Sequence, residues 1–513
     1  MLDLLLALSP VLIIFILVVG FNQTADKAGA VALAYTFALC CLYFSTAPSA
    51  AVSVMLAGFT GSLPISLIFV VCMLQINIMT ETGAVKRISI FFKCFAPSDR
   101  SIQILLYSTA VGTILTAMGG VPLILLPPVF IALGFSPFYA IALPCMGYSG
   151  GGIFSLFGLP MQLLNRYTEL DAFTSCMIAS KFMFIANFGI GICCLWLVGR
   201  TALVRQGFIP AILTGLGAWL GCIVTAYSGV IPLGGIFMGL FMVLFYALYL
   251  KIRGLKVYDK SCLLQEEHEH SKNMPLWRAI SSWIFISVAA ILINTPSLPF
   301  HNFLSQAIYL EFIPGKPEAI RPFGETYVWM TLCILVCTPL MRASKSHLKA
   351  AIKMWIPRVY KPTLGCLTFF AISYLFNNSG YDANWNMVSE NNIVLIISAA
   401  AVNSVGPLYV FCAPFLGLMG GMLTGSNSMG VVMFSTLHMK TAALVGSYGP
   451  VVATSSAVGA CIAGMISPMK ILSASAALDC ANLAPGIVRA LMWMALILTV
   501  IISVNGFVVD FFC

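Results

Sequence analysis

Apolar stretches of about 20 residues, separated by short polar connections, recur along the chain from 2–21 to 490–511. A helix of that length crosses the ~30 Å hydrocarbon core of a bilayer, and in lipid a helix satisfies its own backbone groups. The stretches account for roughly twelve to fourteen passes. The pattern therefore predicts an all-α polytopic membrane protein.

Four clusters of small and polar residues interrupt these stretches. They read "LTAMGGVP" (115–122), "MGYSGGGIFSLFGLP" (146–160), "MLTGSNSMG" (422–430) and "ATSSAVGACIAGMISP" (453–468). Two clusters lie in each half of the chain, and one offset takes Gly119 to Asn427 and Pro160 to Pro468. Secondary transporters are often built from inverted repeats whose interrupted helices meet near the bilayer midplane. We predict two inverted repeats with broken helices or re-entrant hairpins, covering about 62–200 and 355–490.

A helix break inside lipid has a physical requirement. Each exposed, unpaired backbone N–H or C=O costs several kcal/mol there, so the break must be covered by protein or face a water-filled cavity. The N–H groups of the next half-helix carry partial positive charge, and nearby hydroxyls and amides add donors, which suits a small carboxylate. The residues that we expect to bind substrate at the breaks are Thr116, Gly119, Gly120, Ser149, Gly150, Gly151, Thr424, Ser426, Asn427, Ser428, Ser455 and Ser456.

Two structural explanations compete with a binding role for these residues. Small residues also let helices pack closely. Serine and threonine hydroxyls can bond to carbonyl groups of their own helix. Four breaks in corresponding places favour a lined cavity over packing alone.

Composition and charge agree with the hydrophobic pattern. Of the 513 residues, 60% are hydrophobic and 8% are charged, against about a quarter charged in soluble proteins. The formal net charge of +9 does not indicate nucleic-acid binding, because the basic residues lie in the connections and form no single helical stripe. They concentrate at 86–100, 200–205, 251–278 and 342–361. The positive-inside rule places these connections in the cytoplasm and the segments 295–325 and 377–386 outside.

These charges divide the chain into a first transmembrane half (1–250), a cytoplasmic linker (251–278) and a second half (279–513). The linker contains "QEEHEHSKN" (265–273), whose histidines and glutamates could suggest a metal site. The segment is polar throughout and lacks a fixed helical spacing of ligands, so we expect a solvated linker. The 17 cysteines lie mostly in apolar runs without a CxxC motif, so no disulfide, metal cluster or cofactor is expected.

Several longer stretches resemble the lactate permease family of bacterial inner-membrane carriers. They are "APFLGLMGGMLTGSNSMGVVMFSTL" (413–437), "VVATSSAVGACIAGMISPMKILSASAA" (451–477), "FAPSDRSIQILLYSTAVGTILTAMGGVPLILLPPVFIALGFSPFYA" (95–140) and "IPRVYKPTLGCLTFFAISYLFNNSG" (356–380). The resemblance implies a secondary active transporter that imports lactate or glycolate with protons across the inner membrane.

The chain departs from the family at three ionisable positions. A glutamate before the family's glycines is replaced here by Ile114 or Thr116, an aspartate by Asn427, and a lysine by Gly464. Intramembrane charges are normally functional, so their loss indicates altered coupling or an altered substrate. Lys470 could restore a cation at the substrate site, although an interfacial lysine reaching toward the headgroups would explain it equally. Glu81 is the nearest remaining carboxylate to a break and our candidate for proton coupling.

Two alternative functions stay open. One is a related carrier for a different, uncharged or dipolar solute, because the site has lost its own charges. The other, more distant, is a membrane-embedded enzyme, but the chain has no HExxH, no paired intramembrane Asp and no GxSxG with a suitable histidine. The expected partners are a small carboxylate, H⁺ and membrane lipids, and the sequence leaves a homodimer open.

Overall fold

Helices form nearly all of the regular structure, as the apolar pattern predicts. The computed structural model describes residues 2–21, 23–95, 99–119, 122–263, 265–294, 301–304, 306–476, 478 and 480–512. Within these ranges, nine helical stretches are long and apolar enough to cross a membrane, and three shorter apolar helices accompany them. The prediction of an all-α polytopic membrane protein is confirmed.

The helices of the first half are interrupted at the predicted breaks and also end at several other turns. Its helices are α1 (Leu2–Phe15), α2 (Ala25–Leu42), α3 (Pro48–Glu81), α4 (Ala84–Lys93), α5 (Arg100–Leu105), α6 (Gly112–Ala117), α7 (Pro122–Ala132), α8 (Pro137–Gly147), α9 (Ser155–Thr168), α10 (Ala172–Ser228) and α11 (Gly234–Ile252). The π-helical segments are Ile16–Gly20 and Leu106–Val111, and the 3₁₀ segments are Tyr148–Phe154 and Ile231–Leu233. The predicted basic connection at 200–205 is reduced to a kink at Gly199 and Arg200 inside α10.

The middle of the chain contains two apolar helices that the hydrophobic pattern predicts, α14 (Ser281–Asn294) and α16 (Thr326–Leu340). The pattern did not predict the short elements around them, which are α12 (Gln265–Asn273), α13 (Leu276–Ala279), α15 (His301–Leu304), β1 (Ile308–Ile313) and β2 (Lys316–Ile320), with a 3₁₀ turn at Lys260–Cys262. Strands β1 and β2 form an antiparallel hairpin whose turn includes Gly315 in the left-handed region, with φ +73°. This hairpin lies in the segment predicted to face outside.

The second half begins with a long helix. Its helices are α17 (Lys345–Asn377), α18 (Ile393–Val405), α19 (Tyr409–Thr424), α20 (Asn427–Val445), α21 (Gly449–Ile462), α22 (Pro468–Ala476) and α23 (Ala484–Phe511). Its 3₁₀ turns are Ser389–Asn391, Gly406–Leu408, Ala463–Met465 and Ala481–Leu483. The prediction of a basic connection over 342–361 was wrong for most of that segment, because α17 starts at a Ser344–His347 capping box and lysine and arginine are good helix formers.

The order of elements is similar in the two halves. A long helix (α3 or α17) is followed by a first interrupted pair (α6/α7 or α19/α20) and a second (α8/α9 or α21/α22). Helix α3 packs along α17, where Asn77 Nδ2 donates to the Ala351 carbonyl (3.3 Å) and Trp355 Nε1 donates to the Val70 carbonyl (2.8 Å). Helix α9 contacts α20, and α7 contacts α22. This order supports the predicted inverted repeat, which stays a prediction.

The segment predicted as a solvated linker contains a docked helix. Helix α12 lies against α4, where His270 Nε2 is 3.0 Å from the Gly83 carbonyl oxygen and Lys93 Nζ is 2.8 Å from Glu267 Oε1. The Glu266 carboxylate is more exposed, and its hydrogen bond with Lys86 holds its pKa below the usual range. These contacts give the polar segment a fixed position on the bundle.

We expect Glu267→Gln to lower the apparent Tm of the detergent-solubilised protein by a few degrees. The Lys93 and Glu267 side chains are only 10% and 17% exposed, so the variant would remove one charged partner of Lys93 in a largely buried environment. Glu266→Gln, one position earlier in an exposed pair, is the matched control and should change Tm little. Equal Tm shifts in the two variants would contradict the docking role of Glu267.

Candidate functional site

The first break of each half lies where the sequence predicts it. Helix α6 ends at Ala117 and α7 begins at Pro122, and between them Gly119 has φ +77°. A Cβ atom at Gly119 would lie 1.8 Å from the Cys72 sulfur, so only glycine fits against α3 there. In the second half, Gly425 has φ +68° and Ser426 caps α20 by accepting from the Met429 N–H. Gly120 lies outside the described residues.

The second break of each half is a short 3₁₀ segment. In the first half, Tyr148–Phe154 is followed by left-handed backbone at 156–158, and the Phe157 carbonyl accepts from Gln162 Nε2 (2.9 Å). In the second half, Ala463–Met465 precedes α22. The freed carbonyl at the first of these kinks is therefore paired by a side chain, as a break inside an apolar environment requires.

Three consecutive glycines bring three other elements to the first 3₁₀ segment. A Cβ atom at Gly150 would lie 2.2 Å from Asn187 Oδ1, one at Gly151 would lie 2.3 Å from Thr113 Cγ2, and one at Gly152 would lie 2.6 Å from Asn427 Nδ2. A 3₁₀ helix has three residues per turn, so successive positions face different sides. Glycines 150–152 are thus surrounded by α10, α6 and the start of α20.

The breaks of the two halves meet at this segment. Asn427 Nδ2 donates to the Gly152 carbonyl (3.3 Å), and the Tyr148 hydroxyl donates to the Gly464 carbonyl (3.5 Å). The Lys470 ammonium lies 5.6 Å from the centre of the Tyr148 ring. A Cβ atom at Gly119 would lie 3.6 Å from Leu156, so the remaining break is adjacent. The structure therefore brings all four breaks into one region, here called the break cluster.

The predicted hydroxyl groups divide into two kinds. Those of Thr116, Ser149, Thr424 and Ser455 donate to carbonyls of their own helices at 2.8, 3.0, 2.8 and 2.7 Å. These four hydroxyls therefore bond to their own helices, which is the alternative to a substrate-binding role that the sequence analysis considers. Ser428 is buried at the start of α20, and the Ser456 hydroxyl lies 2.7 Å from His438 Nε2.

Some polar groups at or near the break cluster were not among the predicted site residues. Asn187 Oδ1 and Thr113 Oγ1 are buried without a hydrogen-bond partner in the described part of the chain, as is the predicted Asn427 Oδ1. His438 is fully buried, with Nδ1 2.9 Å from the Tyr409 hydroxyl. The signal for His438 was a lone histidine in an apolar run between two breaks. For Asn187 and Thr113 the local sequence gave no signal.

Glu81 is separated from the other predicted site residues. It is the last residue of α3 and is partly exposed, whereas α3 reaches the break cluster at Cys72. Nine positions of α-helix correspond to roughly 13 Å. The structure therefore does not bring Glu81 to the breaks, and its predicted role in proton coupling stays a prediction.

Lys470 places its ammonium at the meeting point of the two halves. The ion pairs formed by the described residues all involve other cations. Its ammonium is 3.6 Å from the Cβ position of Gly464, where the resemblance to the family predicts a lost lysine. A positive charge is therefore retained near that position, supplied from α22. The N-terminus of the half-helix α20, which contacts the first 3₁₀ segment through Asn427, also favours an anion.

The paired helix breaks and their central cation define a polytopic membrane carrier. The family model of L-lactate permease matches residues 3–320 and 323–512, so the chain belongs to the L-lactate permease family and is a transport protein, not an enzyme. It is 22% identical to an L-lactate permease of Halalkalibacterium halodurans, over 92% of this chain and 90% of that protein. It is 21% identical to the glycolate permease GlcA of Escherichia coli, over 92% and 89%. The fold is also similar to the YdaH transporter of Alcanivorax borkumensis, with 15% identity, 88% and 86% coverage and a TM-score of 0.45.

Proposed function

We propose that this protein is a secondary active transporter that imports a small monocarboxylate, lactate or glycolate, together with protons across a bacterial inner membrane. The names of the relatives support the substrate class, since both L-lactate and glycolate permeases are among them. The observation that carries the proposal is Lys470, a cation at the junction of the two halves whose ion-pair partner in this role is the substrate carboxylate.

The break cluster offers partners for both ends of a 2-hydroxy acid. The carboxylate binds the Lys470 ammonium, and the Tyr148 hydroxyl can turn from its long bond with Gly464 to donate a second bond. The hydroxyl of the solute donates to Asn427 Oδ1, which is buried and otherwise lacks a donor in the described structure. A Cβ atom at Gly152 would meet both Asn427 and Cys461, so this arrangement depends on the small size of that residue.

The proposed transport cycle rests on the contacts that the interrupted helices make with one another. The interrupted helices α6–α9 and α19–α22 contact one another across the break cluster, and we propose that they move as a group relative to α3, α17 and the other long helices. Movement of the group exposes one site alternately to the two sides of the membrane. This mechanism needs no covalent chemistry, and no cofactor is invoked.

Uptake into proteoliposomes tests the proposal. Labelled lactate and glycolate should accumulate when the pH gradient is alkaline inside, and accumulation should disappear when a protonophore collapses the gradient. A sodium gradient of the same size serves as the control and should drive nothing. Uptake of uncharged or zwitterionic solutes without uptake of either monocarboxylate would contradict the proposed substrate class.

A further inference from the structure

The hairpin of β1 and β2 packs against α3 and is joined to α9 and α17 through one carboxylate. Ile313 and Glu318 are its buried residues, whereas its other positions are exposed or half-exposed. An isolated two-stranded hairpin is marginally stable in water, so this hairpin depends on its contacts with the helices. Lys316 adds a peripheral contact, with Nζ 3.2 Å from Asn378 Oδ1.

Both oxygens of the Glu318 carboxylate are bound. Oε1 accepts from the Tyr374 hydroxyl at 2.6 Å, and Oε2 accepts from Arg166 Nη2. Arg166 also donates to the Tyr374 oxygen (2.9 Å) and to the Gly61 carbonyl (3.3 Å), which fixes its orientation. An arginine and a hydroxyl positioned on two different helices thus hold one carboxylate between them.

The surrounding backbone is shaped for this contact. A Cβ atom at Gly61 would lie 2.8 Å from the Tyr374 hydroxyl oxygen and 3.3 Å from both Arg166 Nη2 and Glu318 Oε2. The absence of a side chain on α3 therefore leaves the space that the three groups occupy. Burial raises the pKa of Glu325, which lies nearby. The positive charges of Arg321 and Arg166 lower this pKa, but by less than burial raises it.

We propose that Arg166 and Tyr374 form a second carboxylate-binding site of the carrier, which Glu318 occupies in this conformation and which the carboxylate of the arriving solute takes over. The proposal rests on the proposed function, because it assumes a monocarboxylate solute. The donors that hold the Glu318 carboxylate are those that a lactate or glycolate carboxylate needs. Exchange of one carboxylate for another keeps the charge of Arg166 balanced throughout.

The position of Arg166 connects this second site to the break cluster. Arg166 lies on α9, eight positions after the kink at Gly158, or roughly 12 Å along the helix. Arg166 also joins α9 directly to Tyr374 on α17 and to Gly61 on α3, the helices that we propose to stay fixed. Exchange of Glu318 for the solute carboxylate therefore detaches the hairpin from α9 at the moment when a solute has arrived.

Hairpin release can be measured by thiol labelling. In Ile313→Cys, the new thiol lies at a buried hairpin position, and its labelling by a membrane-impermeant maleimide is compared with that of the unsubstituted protein. We expect lactate or glycolate to accelerate labelling at least threefold, and chloride at equal ionic strength to have no effect. In Ile313→Cys combined with Arg166→Gln, the response to lactate should disappear.

Transport kinetics give a second measurement with a matched control. Glu318→Gln keeps the size of the side chain but removes its charge, so the external KM for lactate should fall about 3- to 10-fold. Arg166→Gln should raise this KM at least 10-fold. Glu311→Gln, on the exposed face of the same hairpin, removes an equal charge and should leave KM unchanged.

The outcomes separate this inference from the proposed function. If lactate is transported but neither accelerates labelling nor responds to Glu318→Gln, the second site is wrong and the function stands. If carboxylates accelerate labelling but none is transported, the second site is supported and the function is wrong. Equal KM values in the Glu318→Gln and Glu311→Gln variants would overturn the inference directly.

Discussion

Replacing Lys470 by glutamine is expected to reduce kcat/KM for lactate uptake by about 10- to 100-fold, the value of one charge-assisted hydrogen bond of about 1.5–3 kcal/mol. The Lys470 ammonium lies at the junction of the two halves, beside Tyr148 and Gly464. Glutamine keeps a donor of similar length but cannot neutralise a carboxylate. The loss should appear for every monocarboxylate tested, because all present the same charged group.

The control for this substitution is another lysine inside an apolar helix. Lys181 lies in α10 with an exposed side chain, so Lys181→Gln should leave uptake nearly unchanged. Lys470→Arg keeps the charge with a different shape and should recover part of the activity. Membrane insertion of all three variants is followed by the amount of protein in the membrane fraction. Normal uptake by Lys470→Gln would exclude this lysine from the substrate site.

Gly150→Ala is expected to abolish uptake and to lower the yield of monodisperse protein several-fold. The added methyl group would lie 2.2 Å from Asn187 Oδ1. Asn187 cannot easily move away, because its Nδ2 donates to the Gly150 carbonyl (3.1 Å) and to the Met183 carbonyl (3.0 Å). Overpacking a fixed contact costs about 1–3 kcal/mol or more, and here it would also displace the 3₁₀ segment of the break cluster.

Two further variants make this test specific to the contact. Gly365→Ala places a methyl group on α17 where no atom of the described residues beyond the adjacent helix backbone lies within 4 Å, so size-exclusion chromatography and uptake should match the unsubstituted protein. The double variant Gly150→Ala with Asn187→Ala removes the clashing amide and should recover more monodisperse protein than Gly150→Ala alone. Failure of Gly150→Ala to differ from Gly365→Ala would show that the glycines are not closely packed.

The helix breaks could be predicted because the rule behind them is strict. A non-helical backbone among apolar helices needs small and polar residues nearby, and clusters such as 422–430 are visible against a hydrophobic background. The hydrogen-bond partner of each hydroxyl could not be predicted, since Thr116 and Ser456 both occur among small residues beside a break. Their partners, a carbonyl of the same helix for one and His438 for the other, depend on helices that meet only in the folded chain.

Other features depend on contacts that sequence patterns do not encode. The apolar run accounts only for the later part of α17. The helix begins earlier, at Lys345, because the preceding basic residues have high helix propensity. Asn187 occurs within a long apolar helix, and its importance is visible only from its close contact with Gly150 in the folded chain. The pair Arg166 and Glu318 joins a transmembrane helix to a hairpin too short to be predicted from alternation.

The contact between Gly152 and Asn427 joins two segments that lie far apart in sequence. A Cβ atom at Gly152 would be 2.6 Å from the Asn427 amide and 3.0 Å from Cys461 Cβ, so the volume available at one position is set by the residues at the other two. Across the family, a larger residue in place of this glycine should therefore be accompanied by smaller ones opposite. The two halves of the chain can diverge on their lipid-facing surfaces, but substitutions at these contacting positions have to be compatible with one another.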